Sequence, residues 1–172
     1  WRSGDTGVFT VSSAGAVTGV SEGTTTLIAS AGGLSDTASV TVLPGRTGWY
    51  IQPNPATGNL NGVCFRPDGR SGWAVGDGGQ ILGTANAGAT WTLRASRTSF
   101  ALADVWFVSD GEGWTVGAGG TVLHTLDAGQ TWSRVDAFTG ENLKSVTFAD
   151  RDTGWIVGTN GIVLRTHNRG AT

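Results

Sequence analysis

Between Ala103 and Thr125 the chain reads as three short apolar runs, Ala103–Val108, Gly113–Gly117 and Thr121–Thr125, rich in Val, Trp, Phe and Thr and separated by Gly and Asp. β-Branched and aromatic residues punctuated by turn formers predict strands. A fourth strand is predicted from Trp132. The second and third runs are joined by two residues, Gly78-Gly79, Gly119-Gly120 and Asn160-Gly161 in successive occurrences. These pairs suit a type I′ hairpin, in which both central residues take positive φ. Ile81-Leu82, Val122-Leu123 and Val163-Leu164 are consecutive apolar pairs, so the third strand of each unit is expected to be buried on both faces. Sheets stacked face to face provide that burial.

The same pattern recurs at a fixed distance. Trp73, Trp114 and Trp155 are 41 residues apart, and so are Thr84, Thr125 and Thr166. A period in the forties with Gly and an aromatic at constant phase is the mark of a propeller blade or similar array. The fold class is therefore all-β: a partial β-propeller of four-stranded antiparallel blades. Trp73, Trp114 and Trp155 are expected at equivalent buried positions. Trp49 stands in the phase of Trp91 and Trp132, which makes Trp49–Gln52 an expected outer blade strand that closes the ring against the last blade.

The turn after the third strand carries the most specific motif. Thr84-Ala-Asn86-Ala-Gly88-Ala-Thr90-Trp91 and Thr125-Leu-Asp127-Ala-Gly129-Gln-Thr131-Trp132 resemble the Asp-box, or bacterial neuraminidase repeat, and Thr166, Asn168, Gly170 and Thr172 match a third copy. The Asp or Asn oxygen is expected to accept from amides two residues on, Gly to take positive φ and Trp to plug the blade edge. These residues are read as structural. Together with Gly-Trp-x-Val-Gly before each box, and with Leu60-Asn-Gly-Val63, Leu102-Ala-Asp-Val105 and Leu143-Lys-Ser-Val146 before each first strand, residues 49–172 resemble the propeller family of the photosystem II assembly factor. That resemblance implies a seven-bladed propeller in the assembly factor itself, and a role in assembling proteins through a basic surface patch. The net charge of −2 here gives no compositional support for such a patch.

Residues 1–43 lack the repeat. Alternating runs at Val8–Val11, Ala16–Val20, Thr24–Ala29 and Thr37–Val42 predict strands. Trp1-Arg-Ser-Gly-Asp5, Val8-Phe-Thr-Val11, Gly15-Ala-Val-Thr-Gly-Val20, Gly23-Thr-Thr-Thr-Leu-Ile28 and Ala38-Ser-Val-Thr-Val42 resemble the later half of a bacterial immunoglobulin-like domain of group 2. The resemblance implies a partial β-sandwich acting as a spacer in a secreted or cell-surface protein. Residues 44–48 then form a linker, and residues 49–172 the blades.

Composition adds constraints. Met is absent, including at position 1, and 172 residues are too few for a closed propeller plus a whole sandwich, so both ends are expected to be truncations. No apolar run approaches the ~20 residues of a membrane span. Against 13 acidic residues there are 11 basic ones without clustering, which disfavours nucleic acid. Cys64, beside Val63 and Phe65, reads as a small buried hydrophobe. His124 and His167 are expected on the surface, and Asp68, Asp110, Asp150 and Asp152 as turn residues. Asp110 with Glu112, or Asp150 with Asp152, makes only a weak calcium pair, so no metal or cofactor is expected. Asp-boxes occur in sialidases, but Phe65-Arg66-Pro67 lacks the Ile of a Phe-Arg-Ile-Pro signature, and Glu22, Glu112 and Glu141 show no pairing with Tyr50 in sequence. A non-enzymatic interaction module is expected, with an assembly factor and a glycosidase fragment as alternatives.

Recognition is expected on the interblade loops, which vary most on an otherwise regular scaffold. Arg94, Arg97 and Phe100 in one loop, with Asp136, Phe138 and Glu141 in the next, are the candidate contacts for a protein or glycan partner, and these loops should share a face with the hairpin turns while the boxes emerge opposite. Self-association, or pairing with remaining blades of a longer chain, is the further expectation.

Overall fold

The computed structural model describes residues 1–21, 23–42 and 48–170, and the chain divides into two compact units, Trp1–Ile51 and Gln52–Thr172. Most of the expected linker, residues 44–47, lies outside the described residues, as do Glu22 and Thr172.

The first unit contains β1 (Arg2–Ser3), β2 (Phe9–Val11), β3 (Val17–Gly19), β4 (Gly23–Ala31) and β5 (Leu34–Val42). A three-stranded sheet in the order β1-β4-β5 accompanies the β2-β3 hairpin. The four expected strands all form. β4 and β5 pair through nine registered positions around a two-residue turn, Gly32-Gly33, both at positive φ (59° and 81°). Phe9 is the one fully buried large side chain among the described residues of this unit.

The second unit holds three antiparallel sheets in chain order: β6 (Leu60–Phe65), β7 (Gly72–Gly76), β8 (Ile81–Thr84), β9 (Thr92–Arg94); β10 (Leu102–Phe107), β11 (Gly113–Gly117), β12 (Thr121–Thr125), β13 (Ser133–Val135); and β14 (Leu143–Phe148), β15 (Gly154–Gly158), β16 (Val163–Thr166). Each sheet is a meander, and the first strands lie side by side with β10 between β6 and β14. The paired small residues take the expected positive φ, but the connection is longer than the two residues predicted: Ala118–Gly120 joins β11 to β12, with Gly117 registered against Thr121. Gly78 (φ 65°) and Gly79 (φ 73°) are the central residues of a turn closed by the Gln80 amide donating to the Asp77 carbonyl at 3.3 Å. Asn160 takes φ 54° in the third copy, the conformation Asn tolerates best after Gly.

The core lies between the sheets. Trp73, Val75 and Ile81 of the first pack against Leu102, Val105, Leu123 and Trp132 of the second, while Trp114, Val116 and Val122 of the second meet Leu143 and Val146 of the third. Each fully buried aliphatic side chain contributes about 1.5–3 kcal/mol, so blade-to-blade burial is the main cohesive term. The Gly of each Gly-Trp-x-Val-Gly motif has a steric cause. A Cβ on Gly72, Gly113 or Gly154 would stand 2.6–2.7 Å from the ring of Phe65, Phe107 or Phe148, respectively, which lies flat over the glycine.

Three expectations change. Ile81, Leu82, Val122 and Leu123 are buried, but Val163 is 64% exposed, because no fourth sheet among the described residues covers that face. Trp155 is likewise only half-buried, with the Arg165 guanidinium 5.7 Å above its ring, whereas Trp73 and Trp114 are buried. Residues 49–52 form no strand. An outer strand exists only as a pairing with the third strand of a blade. The first strand of every blade also carries an unforeseen bulge, between Leu60 and Gly62, Leu102 and Asp104, and Leu143 and Ser145.

Candidate functional site

In each box the Thr hydroxyl and the Asx side chain divide the work of holding the turn. In the second box the Thr125 hydroxyl donates to Asp127 Oδ1 (2.8 Å) and accepts from the amides of Asp127 (3.3 Å) and Gly129 (3.0 Å). Asp127 accepts in turn from the Thr131 amide (2.9 Å) and hydroxyl (2.6 Å). The first box repeats this through Thr84, Asn86 and Gly88, with the Thr90 amide 2.9 Å from Asn86 Oδ1, and the third through Thr166, Asn168 and Gly170. The carboxylate or amide oxygen thus reaches the amide four residues on, not two as expected. Two consecutive positive-φ residues, Ala87-Gly88 and Ala128-Gly129, curl the chain and bring that later amide over the side chain. The Thr131 hydroxyl and amide hold the Asp127 carboxyl well below the usual range, at about 2.

The boxes also join blades. Trp73 Nε1 donates to the Ala128 carbonyl in the next blade's box at 3.1 Å, and Trp132 Nε1 donates to Gly129 at 3.2 Å. Trp91 is half-buried beside Gln52, its Nε1 3.4 Å from Gln52 Oε1. Asp104 accepts from Ser145 and the Val146 amide of the following blade, and Arg66 pairs with Asp110 across the preceding boundary. Arg66 is therefore an interblade strut. Asp68 and Asp150 cap the turns after them, as expected, whereas Asp152 pairs with Arg169 Nε at 2.6 Å. Cys64 is half-buried against the core, and burial pushes its thiol up.

On the opposite side the interblade loops and hairpin turns do share a face: the Phe100 ring lies over Gly119, and the Glu141 carboxylate accepts from Thr159 Oγ1 (2.6 Å) and Asn160 Nδ2 (2.9 Å). Those bonds lower the Glu141 carboxyl, the Thr159 hydroxyl acting most strongly. Glu141 is thus tied to the turn beneath it. Asp136 caps its own loop by accepting from the Phe138 amide at 2.8 Å. Arg97 and Phe138 are exposed, stand at the same point of successive loops and share positive φ (60° and 52°), a backbone state that side chains of their size seldom adopt. The six candidates do not surround one cavity. Arg97 borders a shallow one against Leu123 and Trp132, while Asp136 and Phe138 border another between the second and third blades, and half-buried Arg94 lies on β9. Asp136 and Phe138 reach toward the third box, sharing their cavity with Thr166, His167, Asn168 and Gly170.

A cluster that sequence reasoning missed sits at the box end. Glu112 is 3% exposed, accepts from Arg151 Nε at 2.9 Å and lies 3.2 Å from His124 Nε2. His124 stacks on Trp114 at 3.9 Å, and burial holds its pKa below the ordinary value against the raising effect of Glu112. His124 is therefore a packing residue, in contrast to exposed His167. Both departures from the repeat were visible, Glu112 against Ser71 and Thr153, and His124 against Gly83 and Arg165; their adjacency across the β11-β12 ladder was the available signal. Among the described residues no group of three or more His, Cys, Asp or Glu side chains is arranged to hold a metal ion.

Comparison with known families places these features. The profile described as photosynthesis system II assembly factor YCF48 matches residues 10–167. The chain belongs to this family. Among solved structures, a YCF48 bound to D1 peptide is 28% identical, with a TM-score of 0.62 over 71% of this chain and 41% of that one. YCF48 from Cyanidioschyzon merolae is 24% identical, with a TM-score of 0.61 over 85% of this chain and 48% of that one. An ancestral GH74 enzyme shares the fold at 16% identity and a TM-score of 0.55, over 68% of this chain and 18% of that one. This YCF48-family chain thus spans less than half the length of the YCF48 structures it matches. No curated protein matches it.

Proposed function

We propose that this chain is a non-enzymatic protein-assembly module that holds an extended polypeptide partner on the face made by its interblade loops and hairpin turns. The observation that carries this reading is its likeness, within its own family, to a YCF48 bound to D1 peptide. The geometry supports it by elimination. Box residues hold turns, motif glycines seat phenylalanine rings, and tryptophans fill interblade space. Exposed Arg97, Phe100 and Phe138 remain for recognition, an aromatic and guanidinium set of the kind that dominates binding energies. The first unit then acts as an immunoglobulin-like spacer, and the parent protein is secreted or displayed on a bacterial surface.

The test uses the whole chain, with D1 peptide and a library of random peptides as probes. Micromolar binding that falls at least about tenfold in the Arg97→Ala/Phe138→Ala variant, with an unchanged melting temperature, supports the proposal. Failure of all peptides to bind, equal binding by the variant, or cleavage of sialosides or other glycosides by the wild type overturns it.

A further inference from the structure

We infer that the charged side chains at the two blade boundaries fix the order in which the blades dock, so that Arg66, Asp104, Asp110, Glu112 and Arg151 are specificity-determining residues of assembly. The apolar faces alone do not set that order. Trp73, Val75 and Ile81 of the first blade meet Leu102 and Val105 of the second, and Trp114, Val116 and Val122 of the second meet Leu143 and Val146 of the third, nearly the same side chains at the same positions. Repeats whose apolar faces are interchangeable are prone to misassembly, either by skipping a blade or by docking on a second copy.

The polar groups differ between the boundaries, and they differ in sign. The turn after the first strand is built alike in every blade, with the amides of Arg66, Val108 and Ala149 donating to the carbonyls of Ser71, Glu112 and Thr153. In that frame Asp110 and Arg151 occupy one position. At the first boundary the first blade presents a cation, Arg66, to Asp110 of the second. At the next, the second blade presents an anion, Glu112, to Arg151 of the third. The polarity is reversed. A further contact follows the same rule: Asp104 Oδ2 accepts from Ser145 Oγ (2.7 Å) and the Val146 amide (3.0 Å) of the third blade, whereas the first blade has Gly62 in the place of Asp104, where a Cβ would stand 2.8 Å from the Ala103 carbonyl. Two wrong dockings are thereby opposed. With the first blade set on the third, Arg66 would face Arg151, and the Val146 amide would meet Gly62, which has no carboxylate to offer. With the second blade set on the second blade of another copy, Glu112 would face Asp110 and Asp104 would face its own counterpart. Glu112 is 3% exposed, so water does not replace the Arg151 guanidinium there. An exposed pair shifts docking about two- to fivefold, so exchanging attraction for repulsion at one boundary shifts it about tenfold, and the buried Glu112 adds to this.

Reversing one boundary in the whole chain tests this. Arg66→Glu with Asp110→Arg keeps an opposite-charge pair at the first boundary but gives both boundaries the same polarity, so the first blade suits the third and the second suits another copy of itself. The variant should melt within about 2 °C of wild type, since one exposed pair replaces another. On refolding from urea, misassembly is read by light scattering, as mass above that of a never-unfolded sample of the same protein, and by a slow phase in near-UV circular dichroism. The misassembled fraction should be at least about fivefold larger in the variant than in wild type. Raising salt from about 0.05 M to about 0.5 M shortens the screening length from roughly 14 Å to roughly 4 Å, so the wild-type fraction should rise at least about twofold while that of the variant stays level. Equal misassembly in variant and wild type overturns the inference, as does a wild-type fraction indifferent to salt. If the variant melts far below wild type, the salt series on wild type decides alone, a rise supporting the inference and a flat response overturning it.

Discussion

Trp73 and Trp114 occupy the same position of successive blades, yet their replacement by Phe should have different consequences. Trp73 Nε1 donates to the Ala128 carbonyl at 3.1 Å, whereas Trp114 Nε1 is buried and has no partner among the described residues. The rings are turned differently. A Cβ on Gly129 would touch Trp73 Nε1, but one on Gly170 would touch Trp114 Cη2. The neighbour accounts for this: His124 stacks on Trp114 where the first blade has Gly83. Phe in place of Trp removes roughly 40 Å² of buried apolar surface, about 1 kcal/mol at 25 cal/mol/Å². In Trp73→Phe the lost bond adds about 1–1.5 kcal/mol, because a buried carbonyl is left bare. In Trp114→Phe, removing an unsatisfied donor returns about 1 kcal/mol. The expected costs are therefore about 2–2.5 kcal/mol against about zero. At 2–4 °C per kcal/mol for a chain of this size, the two variants should melt roughly 4–10 °C apart. Thermal unfolding followed by near-UV circular dichroism reads this directly. Equal destabilisation, or a larger loss in Trp114→Phe, refutes the reasoning.

Acid and neutral pH probe different parts of the blades. Asp127 titrates at about 2 in the fold against 3.8 unperturbed, so its box contributes stability that is fully present above about pH 4 and lost as pH falls toward 2; Asp127→Asn should flatten that part of the acid unfolding curve. For His124 the folded value is lowered, so the unfolded chain binds the proton more readily below neutrality and stability should rise as pH climbs through the unfolded value near 6.5. Urea midpoints for wild type and His124→Gln, compared between pH 5.5 and 7.5, check this; an equal pH slope in both would refute it.

The blades were legible because their residues repeat at 41 positions and each has a local cause: two small residues at positive φ, a Gly beneath a Phe ring, a Thr and an Asx closing a turn. What repeats reveals itself. The reach of the box side chain to the fourth amide was not legible, since it depends on two consecutive left-handed residues, one of them Ala87 or Ala128. The Glu112–His124–Arg151 cluster was legible only as departures from the repeat at Glu112 and His124, since its members are joined by sheet pairing and by a blade boundary. At the loop face, sequence picked out exposed Arg97, Phe100 and Phe138, but it did not separate them from Glu141, whose carboxylate holds the turn at Asn160. Trp49–Gln52 was expected as an outer blade strand and forms none, because strand formation belongs to the partner as much as to the segment.

Hydrogen exchange on the whole chain, with and without saturating D1 peptide, tests the central claim most directly. Protection confined to residues 95–101 and 136–142 and the neighbouring hairpin turns, with the boxes at 84–91 and 125–132 unchanged, is the expected result. Protection centred on the boxes, or no change anywhere at saturation, contradicts the claim that the interblade loops bind the partner.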